Sequence, residues 1–181
     1  MNFEPDYRNI VQAARNQKPA RLPLYEHIIS IETMEAILQH SFGELWESPD
    51  QADQLEFFKH YCKFFKQMTY ETVSFEVAIT RILPGSGAIM GGMKGPIQSR
   101  QDFQNYPWDS LPEKFWATAD KQFSALLQTM PCGMAALGGP GNGVFELSED
   151  LVGYEQLSYM LVDDPELFAD LFKRIGDLMA E

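Results

Sequence analysis

Three short apolar segments, separated by long stretches with helical periodicity, constrain the fold of this chain more than any other feature of its sequence. The segments RLPLYEHII, TVSFEVAI and CGMAAL predict strands over residues 22–28, 72–79 and 133–138. Strands that are joined by helices run parallel, because the chain must return to the same edge of the sheet each time. The order therefore predicts an α/β fold with about three parallel strands and flanking helices.

The stretches between the predicted strands carry apolar residues at three- and four-residue spacing, which is typical of amphipathic helices. The clearest helix covers 48–68, and further helices are expected over 4–17, 113–130, 144–161 and 165–180. Asp164 and Pro165 are typical of a capped helix start, so they mark the beginning of the last helix. The connection between residues 80 and 112 is too long for a plain loop, which favours a functional role.

The charge balance of the chain limits its partners. The 181 residues include 14 Lys and Arg against 26 Asp and Glu, for a net charge of −12. Nucleic acid and anionic membrane surfaces bind clustered positive charge, so neither is an expected partner. The sequence shows no signal peptide and no apolar run of the ~20 residues that a membrane span needs. Cys62 and Cys132 have no metal-type spacing and are expected to be buried, reduced thiols in the cytoplasm.

Polar side chains end the first predicted strand and interrupt the second. Alternation along the first strand places Tyr25 and His27 on one side and Glu26 on the other. A histidine in this position can act as acid, base or ligand, or can simply be hydrogen-bonded as part of the structure. Glu76 needs a partner if it is buried, and it either faces a pocket or forms a structural salt bridge with Arg81. We take His27, Glu26 and Glu76 as candidate catalytic residues, with Tyr25 and Arg81 as substrate-binding residues.

A glycine-rich stretch, GGPGNGVFE, follows the third predicted strand. Its spacing differs from that of phosphate-binding loops, and the residues that follow it are acidic rather than basic, which disfavours a phosphate site. A turn that needs positive φ angles is one interpretation. The other is that the glycines let the backbone approach a ligand at the carboxyl end of a strand. On the second interpretation, Gly139, Gly141 and Asn142 are substrate-binding residues.

The order of these features resembles the uroporphyrinogen decarboxylase superfamily over nearly the whole chain. RNQKPARLPLYEH is similar to the family's entry into its first strand, and PIQSRQDFQNYPWDSLPE to a segment before its third strand. ALGGPGNGVFELSEDLVGYEQLSYMLVDDPELFADLFKRI resembles the loop and helices after that strand. The resemblance implies a (β/α)8 barrel, of which residues 1–181 would form a single N-terminal, partial domain.

The resemblance also implies an activity. One branch of the superfamily transfers methyl groups from small methylated substrates to a corrinoid or a thiol, with a zinc ion whose ligands would lie outside this chain. The other branch decarboxylates uroporphyrinogen without a cofactor, using arginines after the first strand. This chain has LYEHIISIE there, with no arginine, so methyl transfer is preferred and decarboxylation is the alternative. A third interpretation is a non-catalytic, truncated barrel module. A corrinoid protein is an expected partner, and unpaired strand edges predict a homo-oligomer.

Overall fold

The computed structural model describes residues 3–181 and shows a mostly helical chain. Helical residues make up 60% of it, and the only sheet among the described residues has two strands, β1 (Thr72–Ser74) and β2 (Ala135–Leu137). The two strands run parallel, with Thr72 opposite Ala135 and Ser74 opposite Leu137. The predicted α/β fold, a partial (β/α)8 barrel with about three strands, is therefore wrong.

The first predicted strand, over 22–28, does not form. Leu22 is 85% exposed and Ile28 is 75% exposed, so no neighbouring layer covers the apolar side chains of this segment. The segment contacts β1 through a side chain, the Ser74 hydroxyl, which donates a hydrogen bond to the Glu26 carbonyl. This bond takes the place of the backbone hydrogen bonds that would pair two strands. An apolar, β-branched sequence favours a strand only where a sheet buries it, and here that burial is missing.

The other two predicted strands form, but they are shorter than expected. The strand predicted over 72–79 ends at Ser74, and the chain then enters a 3-10 turn at Ile79–Ile82. The strand predicted over 133–138 is confined to Ala135–Leu137, between Gly133, whose φ is +85°, and Gly138. A two-stranded sheet pairs only as far as both strands stay extended, so its length is that of the shared segment.

The chain divides into two compact units, which are described one at a time. The sheet unit comprises Met1–Glu76 and Ala119–Gly139, and the helical unit comprises Val77–Thr118 and Pro140–Glu181. One of the three boundaries falls within a long helix, α5 (Leu111–Thr129), and the other two follow Glu76 and Gly139. The expectation of a single domain over residues 1–181 stays a prediction.

In the sheet unit, three helices precede β1. They are α1 (Arg8–Ala14), α2 (Ile31–Leu38) and α3 (Gln51–Gln67). Asp50 caps α3 by accepting a hydrogen bond from the amide of Ala52 at 2.7 Å, and the helix packs on the sheet through aromatic rings. The ring of Phe58 lies 4.8 Å from that of Phe75 in an edge-to-face arrangement, which is a favourable geometry for aromatic pairs.

In the helical unit, the predicted helix over 144–161 is two helices, α6 (Val144–Val152) and α7 (Tyr154–Asp163). Gly153 separates them with a φ of +91°, a left-handed conformation that ends α6. The helix predicted over 165–180 is confirmed as Pro165–Ala180, and Asp164 caps it by accepting from the amide of Leu167 at 3.0 Å. The long connection before α5 contains a short helix at Arg100–Asn105 and three 3-10 turns.

In chain order, the helix Arg100–Asn105 is α4 and the helix Pro165–Ala180 is α8. The core of the helical unit forms where α6 and α8 meet, with Leu147, Leu151, Leu171 and Ile175 almost fully buried. No helix among residues 3–181 is both long enough and apolar enough to cross a membrane.

Candidate functional site

The carboxyl ends of β1 and β2 lie side by side in the sheet unit. The amide of Phe75 donates to the Leu137 carbonyl at 2.8 Å, so the pairing continues one residue past β1. A Cβ atom at Gly138 would lie 1.6 Å from the Phe75 carbonyl oxygen and 3.5 Å from Cγ of Glu76. Only glycine fits at this crossing, and the crossing brings the backbone after β2 next to the Glu76 side chain.

A histidine and a carboxylate meet at this edge. Nδ1 of His27 lies 3.7 Å from Oε1 of Glu76, and the two side chains are 59% and 28% exposed. The Tyr25 hydroxyl lies 3.3 Å from the same Nδ1 atom, within hydrogen-bond distance. Tyr25 and His27 therefore point to the same side, although the strand whose alternation predicted this does not form. The pair is open to solvent, so a small molecule can reach both groups.

The segment that carries His27 is held against β1 by one hydrogen bond at its centre. The Ser74 hydroxyl donates to the backbone carbonyl of Glu26, while the side chain of Glu26 is exposed. The Ser74 carbonyl in turn accepts a hydrogen bond from the buried Tyr61 hydroxyl at 2.7 Å. Burial raises the pKa of Tyr61, so this hydroxyl stays a donor at physiological pH. Ser74, at the end of β1, is thus anchored through both its hydroxyl and its carbonyl.

The electrostatic environment of this segment is negative. Burial and the nearby charge of Glu26 together raise the pKa of Tyr70, because both disfavour the phenolate form. The segment over 22–29 contains no lysine or arginine. This edge therefore offers a hydrogen-bonding, proton-accepting surface rather than a site for anionic groups.

The remaining predicted site residues are divided between the two units. Gly139 follows the Gly138 crossing in the sheet unit, and a Cβ atom there would meet nothing within 4 Å. Arg81, Gly141 and Asn142 belong to the helical unit, where Gly141 and Asn142 have φ values of +59° and +60°. The structure thus brings Tyr25, His27, Glu76 and Gly139 together in the sheet unit, but not Arg81, Gly141 or Asn142.

The phosphate interpretation of the glycine stretch is further disfavoured by the start of α6. The amide of Gly143 donates to Oε2 of Glu146 at 2.6 Å. A carboxylate of the chain itself therefore occupies the position where a phosphate would accept hydrogen bonds from a helix N-terminus.

Sequence reasoning missed a buried carboxylate at the opposite end of β1. Glu71 is 1% exposed and accepts hydrogen bonds from the guanidinium of Arg21, the side-chain amide of Asn9 and the backbone amide of Asp6. Burial would raise the pKa of Glu71, but these donors outweigh it and lower the pKa overall. A glutamate directly before the β-branched run TVS was the available signal, because a carboxylate there must find a partner.

The two cysteines and the other two histidines do not form a site. Burial raises the pKa of the Cys62 thiol to about 11, which makes it a poor nucleophile, whereas Cys132 is exposed rather than buried. His40 and His60 stack with ring centroids 4.1 Å apart. Among the described residues, no group of three or more His, Cys, Asp or Glu side chains could hold a metal ion.

The zinc that the resemblance implies would have its ligands outside this chain, so it stays a prediction. No family model, no curated protein and no solved structure matches this chain.

Proposed function

We propose that the edge formed by the carboxyl ends of β1 and β2 is the proton-transfer part of an enzyme site for a small methylated substrate. The observation that carries the proposal is the His27–Glu76 pair, 3.7 Å apart, beside the open backbone at Gly139. A histidine paired with a carboxylate is suited to general acid–base catalysis near neutral pH. The motif order that resembles the uroporphyrinogen decarboxylase superfamily supplies the reaction class.

In the proposed reaction, His27 donates a proton to the atom that the methyl group leaves. A methoxy or methanol substrate loses its methyl group more readily when the departing oxygen is protonated, because that oxygen then leaves as part of a neutral molecule. Glu76 orients the imidazole, and Tyr25 adds a hydrogen bond to the same nitrogen. The methyl acceptor is a corrinoid or a thiol.

Methyl transfer is favoured over tetrapyrrole decarboxylation by the charge of this edge. Uroporphyrinogen carries several carboxylates, which positive side chains must hold. The nearest arginine in the sequence, Arg21, already binds the buried Glu71 through its guanidinium. The setting that we expect is the reducing cytoplasm, since both cysteines are free thiols.

The test is a methyl-transfer assay on the full-length protein. The substrates are 13C-methanol, 13C-methoxybenzene and 13C-methoxyphenol. The acceptor is free cob(I)alamin, and the product is followed by NMR and by the absorbance of the cobalamin. Transfer that is lost in His27→Gln and kept in His40→Gln, another exposed histidine of the sheet unit, would support the proposal. An absence of transfer from all three substrates, or equal activity in both variants, would contradict it.

A further inference from the structure

A cavity in the helical unit lies outside the site described above. It has a volume of about 420 Å³ and lies between the glycine-rich loop around residues 88–94 and the start of α7. This volume falls within the range of roughly 300–1,000 Å³ that is typical of small-molecule sites. The cavity is therefore large enough to enclose a metabolite.

One wall of the cavity is held in place by a buried carboxylate. Asp150 is 2% exposed and accepts hydrogen bonds from the amides of Gly87 and Ile89, at 2.8 Å and 3.3 Å. A buried carboxylate that lost these donors would be costly, so the loop is fixed to α6 at this point. The start of the glycine-rich loop is thus held in a defined position.

The far end of the loop is fixed by a close crossing of two backbones. The amide of Gly95 donates to the Val152 carbonyl at 3.2 Å, and a Cβ atom at Gly95 would lie 2.1 Å from the Leu151 carbonyl oxygen. A Cβ atom at Gly153 would lie 2.8 Å from the Met93 carbonyl oxygen. Both close backbone contacts require glycine, because a side chain would not fit there. The floor of the cavity is therefore formed by tightly packed backbone.

Between these two anchors the loop leaves open space. Gly91 and Gly92 both have positive φ angles, and nothing lies within 4 Å of a Cβ built on either of them. Large side chains around the opening are exposed, with Met93 at 61%, Tyr154 at 68% and Tyr159 at 56%. Exposed aromatic and thioether groups gathered around one cavity are typical of a binding surface rather than of a core.

The cavity is lined by charges of both signs. Lys94 lies on the loop, and Glu149 and Glu155 lie on the helices that face it. None of these three side chains forms an ion pair with another of the described residues. A simple anion would meet the two carboxylates, and a simple cation would meet Lys94. A ligand that carries both charges satisfies the whole lining.

We propose that this cavity binds a small zwitterion of the betaine or amino-acid type. The carboxylate of the ligand pairs with Lys94, and its ammonium group faces Glu155 and Glu149. The rings of Tyr154 and Tyr159 favour a cationic group by cation–π attraction, which is most effective for methylated ammonium groups. This proposal does not depend on the proposed function, because it concerns other residues in the other unit.

The experiment is isothermal titration calorimetry of the full chain with matched probes. Glycine betaine and L-phenylalanine are the two zwitterions, and they distinguish the betaine from the amino-acid type. The probe 3,3-dimethylbutyrate has the shape and the carboxylate of betaine without its positive charge, and choline has the positive charge without a carboxylate. We expect one zwitterion to bind at least about tenfold more tightly than both singly charged probes, as expected for the loss of one charge-assisted contact.

Charge-removing variants then assign the two ends of the ligand. Lys94→Ala and Glu155→Gln should each weaken zwitterion binding by about tenfold. The matched controls Lys114→Ala and Glu166→Gln, at exposed positions of the same unit outside the cavity lining, should leave binding unchanged. Circular dichroism checks that each variant is folded. No binding of either zwitterion at millimolar concentration, equal binding of 3,3-dimethylbutyrate or choline, or unchanged binding by Lys94→Ala would each overturn the proposal.

Discussion

Glu71 and Arg21 form an ion pair in which the carboxylate is almost fully buried and the guanidinium reaches the surface. Nη2 of Arg21 donates to Oε2 of Glu71 at 2.9 Å, and the guanidinium also donates through Nε to the other carboxylate oxygen. The same carboxylate accepts the amide of Asp6 and the side chain of Asn9, so the segment before α2 is tied to the start of β1. This network positions the segment that later carries His27.

We predict that Glu71→Gln lowers the free energy of unfolding by about 2 kcal/mol, because hydrogen bonds to a charged group are replaced by weaker ones. Urea denaturation followed by circular dichroism measures the loss. The control is Glu44→Gln, which removes an exposed carboxylate of the same unit and should change stability by less than about 0.5 kcal/mol. Equal effects of the two substitutions would show that the network does not stabilise the fold.

The contribution of Glu71 should depend on pH with a definite sign. The folded structure lowers the pKa of Glu71 below its ordinary value of 4.5. The stabilisation is therefore fully present above pH 4.5 and is lost as the pH falls through the lower, folded-state pKa. We expect the stability difference between the wild type and Glu71→Gln to be constant from pH 7 to pH 5 and to shrink under more acidic conditions. A difference that grows on acidification would contradict this account.

Two neighbouring glycines provide a matched test of the crossing at the candidate site. Gly138→Ala should cost about 3 kcal/mol or prevent folding, because its Cβ atom would collide with the Phe75 carbonyl. Gly139→Ala should leave the melting temperature nearly unchanged, since nothing lies within 4 Å of a Cβ atom there. Thermal denaturation of both variants checks the difference. A well-folded Gly138→Ala variant would mean that the backbones after β1 and β2 do not approach this closely.

The cap of α8 offers a second matched pair. Asp164→Ala should cost about 1 kcal/mol, because it leaves the amide of Leu167 without its acceptor and removes a partner of Arg100. Asp163→Ala, one residue earlier at the end of α7, should have a much smaller effect. Thermal melts of the two variants measure both losses. If the two substitutions were equivalent, α8 would not begin at this residue.

The expected homo-oligomer can be tested at the segment that failed to form a strand. Leu22 and Ile28 are highly exposed in an extended segment, a feature that favours association with another chain. We predict that the wild type self-associates at high concentration and that the double substitution Leu22→Ser with Ile28→Ser reduces the association. Leu161→Ser with Val162→Ser is the control, at exposed apolar positions of α7. Light scattering that shows a monomeric wild type would contradict the prediction.

Local signals in the sequence predicted the helices better than the sheet. The capped start of α8 depends on adjacent residues, Asp164 and Pro165, so it could be read directly. A strand over 22–28 would need a neighbouring strand that is distant in the sequence, and periodicity does not reveal whether such a neighbour exists. The break at Gly153 was missed because a single glycine inside an apolar pattern is often tolerated within a helix.

The candidate site was predicted only in part for the same reason. Tyr25 and His27 were singled out at the end of a predicted strand, and Glu76 as a carboxylate inside one, since both signals are local. The partner of Glu76 could not be read from spacing, because His27 lies 49 positions away in the sequence. The network around Glu71 joins four separate positions and leaves only one local sign, a carboxylate before a buried strand.

The most direct test of the candidate site is a double-mutant cycle on His27 and Glu76, measured as the rate of methyl transfer in the full-length protein with melting temperatures recorded in parallel. If the two side chains act as one acid–base unit, each of His27→Gln and Glu76→Gln lowers the rate by about 100-fold. The double variant is then no slower than the slower single variant, and all melting temperatures stay near that of the wild type. Rates that are unchanged, that fall multiplicatively in the double variant, or that fall only together with the melting temperature would contradict the proposed role of this pair.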